Sequence, residues 1–306
     1  MAAEPAKPDV PKRDPVPLAL RLTFLPMLLV IILMIGVRML NAVSIYPPLP
    51  MDHTRAPGLA AEREDVTEIH FEADDGVKLY GWVLGSKTAS RHIVAFTGNG
   101  DYVGSVAGLY TKHAAALDAL ILLFDYRGYA NSEGRPSEAG LYADARGAYR
   151  YAITELGWIP SEIILWGRSL GAAPAIKLAV DLLADDRPAS LADGRTPHAL
   201  ILEAPFTSIQ DMARFAMPIL GKPEWLVFEF YDNLARAPKL ALPVFHYQGT
   251  SDEVIPFGQG ERLFAALPGP KEHMTLTGVG HNNIWDDDAR AQEIRQRVDA
   301  FLGAHE

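Results

Sequence analysis

One stretch decides the fold: Gly167-Arg168-Ser169-Leu170-Gly171, a pentapeptide with the pattern G-x-S-x-G. The preceding Glu162-Ile163-Ile164-Leu165-Trp166 is largely apolar, which predicts a strand buried on both faces. The following residues 172–183 are rich in Ala and Leu and predict a helix. A serine on the sharp turn between them has a strained backbone that lifts its hydroxyl clear of the sheet, and glycines let strand and helix approach closely. The pentapeptide therefore predicts that Ser169 is a nucleophile.

The composition narrows the class of protein. The chain has 306 residues, 49% of them hydrophobic and 22% charged, so it can bury a sizeable core. The part after the N-terminal region suits one α/β domain better than two. The net charge of −10 argues against a nucleic acid partner, because binding nucleic acid needs a basic face. The absence of cysteine excludes disulfides, thiolate metal sites and a cysteine nucleophile.

The N-terminal region divides into three predicted segments. Residues 1–17 are rich in proline and charge, which predicts a disordered tail. Residues 18–40 are apolar apart from Arg21 and Arg38, which predicts a transmembrane anchor. A cleaved signal peptide is the alternative, because basic residues precede this stretch and small residues follow near Ala42. Residues 41–65, with several prolines, are predicted to be a linker, and 66–306 the folded domain.

The anchor implies a single-pass orientation. Four basic residues precede residues 22–37, the part of this stretch that has no charge, namely Lys7, Lys12, Arg13 and Arg21. By the positive-inside rule the N-terminus is expected in the cytoplasm, and the folded domain in the periplasm or another extracytoplasmic compartment.

From residue 66 onwards, strand-like and helix-like stretches alternate. The turn Asp74-Asp75-Gly76 predicts a hairpin between strands 66–72 and 77–84. Further strands are predicted at 92–97, 120–125, 163–166, 199–203, 244–248 and 272–277. Helices are predicted at 103–117, 138–156, 172–183, 257–266 and 286–301. This order predicts a mostly parallel sheet covered by helices on both faces.

A serine nucleophile needs a base to take its proton and an acid to orient that base. After a turn of this kind, the acid and then the base follow the serine along the chain. Asp252 lies just past the predicted strand 244–248, and His281 lies in a glycine-rich loop just past 272–277. The sequence therefore predicts a catalytic triad of Ser169, Asp252 and His281, with Glu253 as the alternative acid.

The oxyanion formed by serine attack needs two preorganised N–H donors. The backbone N–H groups of Leu170 and of Asn99, in the loop 97–100, are predicted to supply them. A dinucleotide-binding interpretation of Gly98-Asn99-Gly100 is disfavoured, because the G-x-G-x-x-G spacing is absent. No H-E-x-x-H or similar spacing of metal ligands occurs, so neither a metal nor a cofactor is predicted.

Six stretches resemble the α/β-hydrolase superfamily, specifically its membrane-anchored serine hydrolases, which group with serine aminopeptidase-like enzymes, acylglycerol lipases and protein depalmitoylases. They are Phe96-Thr97-Gly98-Asn99-Gly100, Asp125-Tyr126-Arg127-Gly128-Tyr129-Ala130-Asn131-Ser132-Glu133-Gly134, Gly167-Arg168-Ser169-Leu170-Gly171, Ala204-Pro205-Phe206-Thr207-Ser208, Ser251-Asp252-Glu253-Val254-Ile255-Pro256 and Gly280-His281-Asn282-Asn283. The resemblance spans about residues 66–301 and implies an α/β-hydrolase fold with the same triad and oxyanion donors. Two positions depart from the family, since Thr97 and Gln248 stand where relatives usually carry histidine, but neither change removes an N–H donor.

The stretch 206–240 is an irregular insertion with many aromatic residues and methionines. Its apolar spacing predicts two short helices that cover the edge of the sheet. A small lid over an apolar acyl pocket is one interpretation, and plain cover of the core is the other. In the first, the pocket is expected to include Phe206, Phe215, Trp225 and Phe228.

Together these features predict a membrane-tethered serine hydrolase that cleaves a carboxylic ester or thioester through an acyl-enzyme. The expected partners are a small-molecule, lipid-like or acylated substrate and the membrane, through the N-terminal helix. A serine peptidase acting on amides, similar to the aminopeptidases, is one alternative. A non-catalytic binding protein of the same fold is the other.

Overall fold

The computed structural model describes residues 26–29, 31–34, 36, 43–47, 63–218 and 227–306. The strands are β1 (Val66–Glu72), β2 (Lys78–Leu84), β3 (Arg91–Phe96), β4 (Ala119–Phe124), β5 (Ile163–Arg168), β6 (Ala199–Glu203), β7 (Val244–Gly249) and β8 (Lys271–Leu276). The α-helices are α1 (Val103–Leu117), α2 (Glu138–Thr154), α3 (Ala172–Leu183), α4 (Ile209–Ala216), α5 (Asn233–Arg236), α6 (Phe257–Ala265) and α7 (Asp288–Gly303).

The eight strands form one sheet in the order β1-β2-β4-β3-β5-β6-β7-β8. The pairs β1–β2 and β2–β4 are antiparallel, and the five remaining pairs are parallel. The mostly parallel sheet predicted from the sequence is thus confirmed. Parallel strands end at a common edge, and the register there pairs Phe96 with Gly167 and Arg168 with Glu203.

The core lies on both faces of the sheet. Along β5, Leu165 belongs to one buried cluster and Trp166 to the other, because successive side chains of a strand point to opposite faces. Residues of α2 and α3 pack in the first cluster, and residues of α1 and α7 pack in the second. Helices therefore cover both faces, which explains why the central strands are almost continuously apolar.

Element ends differ from the predicted ones by a few residues at most. The last helix begins at Asp288 and not at 286, because Asp287 is its N-cap and accepts a hydrogen bond from the backbone N–H of Arg290. In the insertion, α4 and α5 match the two short helices that were expected there. Residues 219–226, which include Trp225, lie outside the described residues.

The predicted membrane topology is contradicted. A helix needs about 20 consecutive apolar residues to cross the hydrocarbon core of a bilayer. In the part of the chain that the structure describes, no helix is long and apolar enough for this. This finding overturns the predicted anchor at 18–40, the membrane as a partner and the single-pass localisation. The predicted tail 1–17 lies outside the described residues, as does most of the predicted linker 41–65.

Candidate active site

The serine turn has the strain that the pentapeptide predicted. Ser169 has a φ of 51°, a left-handed conformation that non-glycine residues rarely adopt. A Cβ on Gly167 would lie 2.6 Å from the Cα of Ala172, and one on Gly171 would lie 2.1 Å from the carbonyl oxygen of Phe96. Only glycine fits these two positions, so the strand and the following helix hold the serine at the carboxyl edge of the sheet.

The structure brings the three predicted triad residues together. The Nε2 atom of His281 lies 3.0 Å from the Oγ atom of Ser169, and its Nδ1 atom lies 2.8 Å from Oδ2 of Asp252. All three residues are less than 10% exposed. The arrangement can pass a proton from the serine hydroxyl to an imidazole whose other nitrogen is held by a carboxylate.

Asp252 is fixed by backbone and side-chain donors. Its Oδ1 atom accepts hydrogen bonds from the backbone N–H groups of Val254, at 2.9 Å, and Ile255, at 2.7 Å. Its Oδ2 atom, which faces His281, lies 3.3 Å from Nε2 of Gln248. The Gln248 amide also donates to the carbonyl oxygen of Ile255 at 2.7 Å. The residue that replaces the family histidine therefore braces the acid.

Glu253, the alternative acid, has a different position. Its Oε2 atom accepts a hydrogen bond from the backbone N–H of His281 at 3.2 Å. It therefore holds the loop of the histidine, whereas the ring contacts Asp252. The Glu253 contact had no signal in the sequence, because it depends on how two loops 28 residues apart meet after folding. The Gln248 contact spans only four residues, but the residue pattern does not indicate the direction in which the amide points.

The loop of Asn99 lies beside the nucleophile. A Cβ on Gly98 would be 3.6 Å from Cβ of Ser169, so the loop backbone runs directly past the serine. The backbone N–H of Gly98 donates a hydrogen bond to Oδ2 of Asp101 at 2.9 Å. Asn99, the next residue, is exposed. Leu170, the other predicted donor, is buried in the turn that follows the serine.

A charged network underlies this part of the site. The Arg168 guanidinium donates to Oδ2 of Asp101 at 2.7 Å and to Oε1 of Glu203 at 3.0 Å. Burial acts to lower the pKa of Arg168, but the charges of Glu203 and Asp101 outweigh it and raise the pKa above the usual value. Arg168 is therefore a fixed cation that binds two carboxylates of the protein.

A short segment upstream of the folded domain packs near the same loop. The Nδ2 atom of Asn99 donates to the carbonyl oxygen of Ser44 at 3.3 Å. Ile45 and Tyr46 are buried, and the hydroxyl of Tyr46 lies 2.6 Å from the hydroxyl of Tyr231. Residues 43–47, part of the predicted linker, thus contact both the loop beside the nucleophile and the insertion.

The predicted pocket residues have different environments. Phe206 is buried and packs edge-on against Tyr231, with 6.3 Å between ring centroids. Phe215 is 51% exposed in α4, Phe228 is partly exposed, and Trp225 lies outside the described residues. Phe206 therefore belongs to the core beneath the insertion, and the pocket assignment of the four residues stays a prediction.

The buried carboxyl group of Asp125 holds the first residue of α1, the helix between β3 and β4. It accepts hydrogen bonds from the backbone N–H groups of Val103, at 2.7 Å, and Asn131, at 3.4 Å. Burial raises the pKa of Asp125 to about 7, although both N–H groups favour the carboxylate. Asp125 thus fixes α1 directly after the loop of Asn99 and does not contact the triad.

A cleft of about 310 Å³ lies elsewhere, between β8 and α7. It is lined by Lys271 and Glu272 at the amino end of β8 and by Phe301 of α7, among other residues. The amino ends of parallel strands lie at the opposite edge of the sheet from the carboxyl ends. This cleft is therefore remote from Ser169.

No protein-family model matches the chain, but comparisons with individual proteins identify relatives. An uncharacterized protein of Mycobacterium tuberculosis is 35% identical over 219 residues, which are 71% of this chain and 72% of that protein. The alpha/beta hydrolase domain-containing protein 17C of Xenopus tropicalis is 32% identical over 233 residues, which are 75% of this chain and 69% of that protein.

Solved structures show the same fold. An esterase of Pyrococcus furiosus superposes with a TM-score of 0.60 at 17% sequence identity, covering 78% of this chain and 92% of the esterase. With the fold shared and a named relative above 30% identity over most of its length, the chain belongs to the α/β-hydrolase superfamily.

Proposed function

We propose that this protein is a serine hydrolase that cleaves a carboxylic ester or thioester through an acyl-enzyme. Membership of the superfamily supports hydrolysis in general. The observation that carries the serine mechanism is the position of the His281 ring, whose two nitrogen atoms lie within hydrogen-bond distance of Ser169 and Asp252.

The first half-reaction acylates the serine. The Oγ atom of Ser169 attacks the carbonyl carbon of the substrate while Nε2 of His281 takes the hydroxyl proton. Asp252 accepts the Nδ1–H hydrogen bond, which holds the ring in the required tautomer and stabilises the imidazolium. The tetrahedral intermediate then collapses, and the imidazolium gives its proton to the departing alcohol or thiol.

The second half-reaction releases the acid. A water molecule attacks the acyl carbon and loses a proton to His281. Collapse of the second tetrahedral intermediate returns that proton to Oγ of Ser169 and frees the carboxylic acid. In both steps the backbone N–H groups of Leu170 and Asn99 are proposed to stabilise the oxyanion. This charge is absent from the bound substrate and develops as each tetrahedral intermediate forms.

An ester or thioester is favoured over an amide by the name of the structural neighbour, which is an esterase. The insertion that follows β6 also exposes two apolar side chains, Phe215 and Phe230. An acyl chain is the part of such a substrate that an apolar wall binds best. We therefore expect the acyl side of the substrate to lie towards the insertion.

A fluorophosphonate probe, which labels activated serines covalently, tests the serine mechanism. Wild-type protein should be labelled, and Ser169→Ala should abolish the labelling. Ser132→Ala is the matched control, because Ser132 is 8% exposed against 7% for Ser169 and bonds only to structural groups. A folded wild-type protein that is not labelled would overturn the proposal and favour a binding protein of the same fold.

Substrate profiling separates the hydrolytic alternatives. A series of p-nitrophenyl esters from acetyl to palmitoyl, the matching acyl thioesters and a set of aminoacyl p-nitroanilides would be compared by kcat/KM. The proposed function predicts higher values for the esters or thioesters. Higher values for the anilides would show a peptidase instead.

A further inference from the structure

We propose that Arg168 is a positioning residue that sets the place of the oxyanion loop relative to the nucleophile. This inference rests on the proposed serine mechanism, because the oxyanion loop has this role only in that reaction. Arg168 directly precedes Ser169 and does not itself contact the other members of the triad. It acts through two carboxylates.

The first carboxylate ties Arg168 to the loop. Oδ2 of Asp101 accepts hydrogen bonds both from the Arg168 guanidinium, at 2.7 Å, and from the backbone N–H of Gly98, at 2.9 Å. A Cβ on Gly98 would lie 3.3 Å from the same guanidinium nitrogen, so the loop backbone rests against it. The residue after Gly98 is Asn99, whose N–H is the proposed donor.

The second carboxylate, that of Glu203, links Arg168 to other residues near the carboxyl ends of the strands. Arg168 and Glu203 are paired across β5 and β6, and their side chains join through Nε and Oε1 at 3.0 Å. The buried Glu203 also accepts hydrogen bonds from the hydroxyl of Tyr247, at 2.6 Å, and from Nε1 of Trp285, at 2.9 Å. Trp285 follows four residues after His281 in the chain.

One guanidinium therefore connects the strand that carries the serine, the loop after β3 and the segment after the histidine. Its planar fork presents donors to both carboxylates in a fixed geometry, which the single nitrogen of an ammonium group cannot reproduce. The side chain of Arg168 is 16% exposed and that of Glu203 is 2% exposed, so water screens these contacts weakly. The two oxyanion donors lie on different segments, Leu170 after the serine and Asn99 in the loop, and this bridge fixes their separation.

Stabilisation of an oxyanion depends on donors that are already in position, and a small displacement lowers it steeply. Loss of the bridge should thus weaken binding of the transition state and leave binding of the substrate nearly unchanged. The signature of a positioning role is a fall in kcat with little change in KM.

The experiment compares wild-type protein with Arg168→Met, Arg168→Lys and Asp101→Asn on p-nitrophenyl butyrate. Arg168→Met removes both ion pairs, Arg168→Lys keeps the charge without the fork, and Asp101→Asn keeps an acceptor for Gly98 without the charge. Arg146→Met is the matched control, since Arg146 is 19% exposed and ion-paired with Asp74 at the β1–β2 turn. Circular dichroism and thermal unfolding establish that each variant is folded at the assay temperature.

We expect kcat to fall about 10- to 100-fold in Arg168→Met, less than the loss of an entire oxyanion donor. Arg168→Lys and Asp101→Asn should each lose at least about tenfold, because either change breaks the bridge. Inhibition by butylboronic acid, which forms a tetrahedral adduct with an active serine, should weaken in parallel with kcat. Arg146→Met should lower thermal stability without lowering kcat.

Three outcomes would overturn the role of Arg168. Full kcat in Arg168→Lys would show that a positive charge suffices without the bridge. A rise in KM at constant kcat would show a substrate contact instead. If Arg168→Met does not fold, Asp101→Asn decides, and wild-type kcat in that variant refutes the proposal. A folded wild type without activity is a different failure, since it removes the serine mechanism itself.

Discussion

The Nε2 atom of His281 lies 3.0 Å from the Oγ atom of Ser169, although 112 residues separate the two along the chain. The strand β5 ends at Arg168, directly before the serine, and the loop after β8 carries the histidine, so the common carboxyl edge of the sheet brings them together. In the proposed mechanism this contact works only when Nδ1 of His281 carries the ring proton, and Asp252 lies where it can accept the hydrogen bond that favours this tautomer.

Replacement of Asp252 by asparagine should lower kcat about 10⁴-fold. The asparagine amide would donate to Nδ1 of His281, which leaves Nε2 protonated and unable to accept the serine proton. Steady-state kinetics with an ester substrate measure the loss. Glu253→Gln should lose far less, because Glu253 binds the backbone N–H of His281 and not the ring. Equal losses in the two variants would contradict the assignment of Asp252 as the acid.

Replacement of Gly171 by alanine should destabilise the protein and impair the site. The new Cβ would lie 2.1 Å from the carbonyl oxygen of Phe96, so the backbone of β3 or of the serine turn must move. Overpacking of this kind costs about 1–3 kcal/mol, measured by urea unfolding. Gly108→Ala is the control. Gly108 is exposed in α1 with open space around it, so alanine there should stabilise by about 0.5–1 kcal/mol.

Replacement of Tyr46 by phenylalanine should lower the free energy of unfolding by about 1–3 kcal/mol, because it leaves the buried hydroxyl of Tyr231 without this partner. Chemical denaturation measures the change. In the double variant with Tyr231→Phe, both hydroxyls are gone, so the loss should be smaller than the sum of the two single losses. Additive losses, or none, would mean that residues 43–47 do not pack on the insertion in solution.

Replacement of Asp125 by asparagine should change how stability depends on pH. Burial raises the pKa of Asp125 from 3.8 to about 7, so the folded protein binds a proton that the unfolded chain has released across this range. The stabilisation from Asp125 is therefore complete below pH 3.8 and is lost as the pH rises through about 7.

Asparagine is neutral throughout, so Asp125→Asn removes this contribution. The free energy of unfolding of the variant, relative to that of the wild type, should rise between pH 4 and pH 7 by up to about 1.4 kcal/mol per pH unit. Urea denaturation at several pH values measures both curves. Parallel curves would show that Asp125 has no raised pKa in the folded protein.

Much of the fold was predictable because its signals are local. The alternation of apolar strands and amphipathic helices predicted the sheet, and the ends of the elements differ from the prediction by a few residues at most. The left-handed Ser169 and the flanking glycines were predictable for the same reason, since five consecutive residues specify that turn. Hydropathy alone was misleading at 18–40, where it predicted a membrane span that no helix in the described part of the chain provides.

The sequence by itself determined the order of strands and helices and the serine turn, because hydrophobic periodicity and glycine spacing act over a few residues. Only the tertiary structure decided that Glu253 holds the histidine loop and that Arg168 joins Asp101 to Glu203. These contacts form between segments far apart in the chain. Their partners are chosen by the register of the parallel strands and the packing of the loops beyond them, and no local pattern of residues encodes that choice.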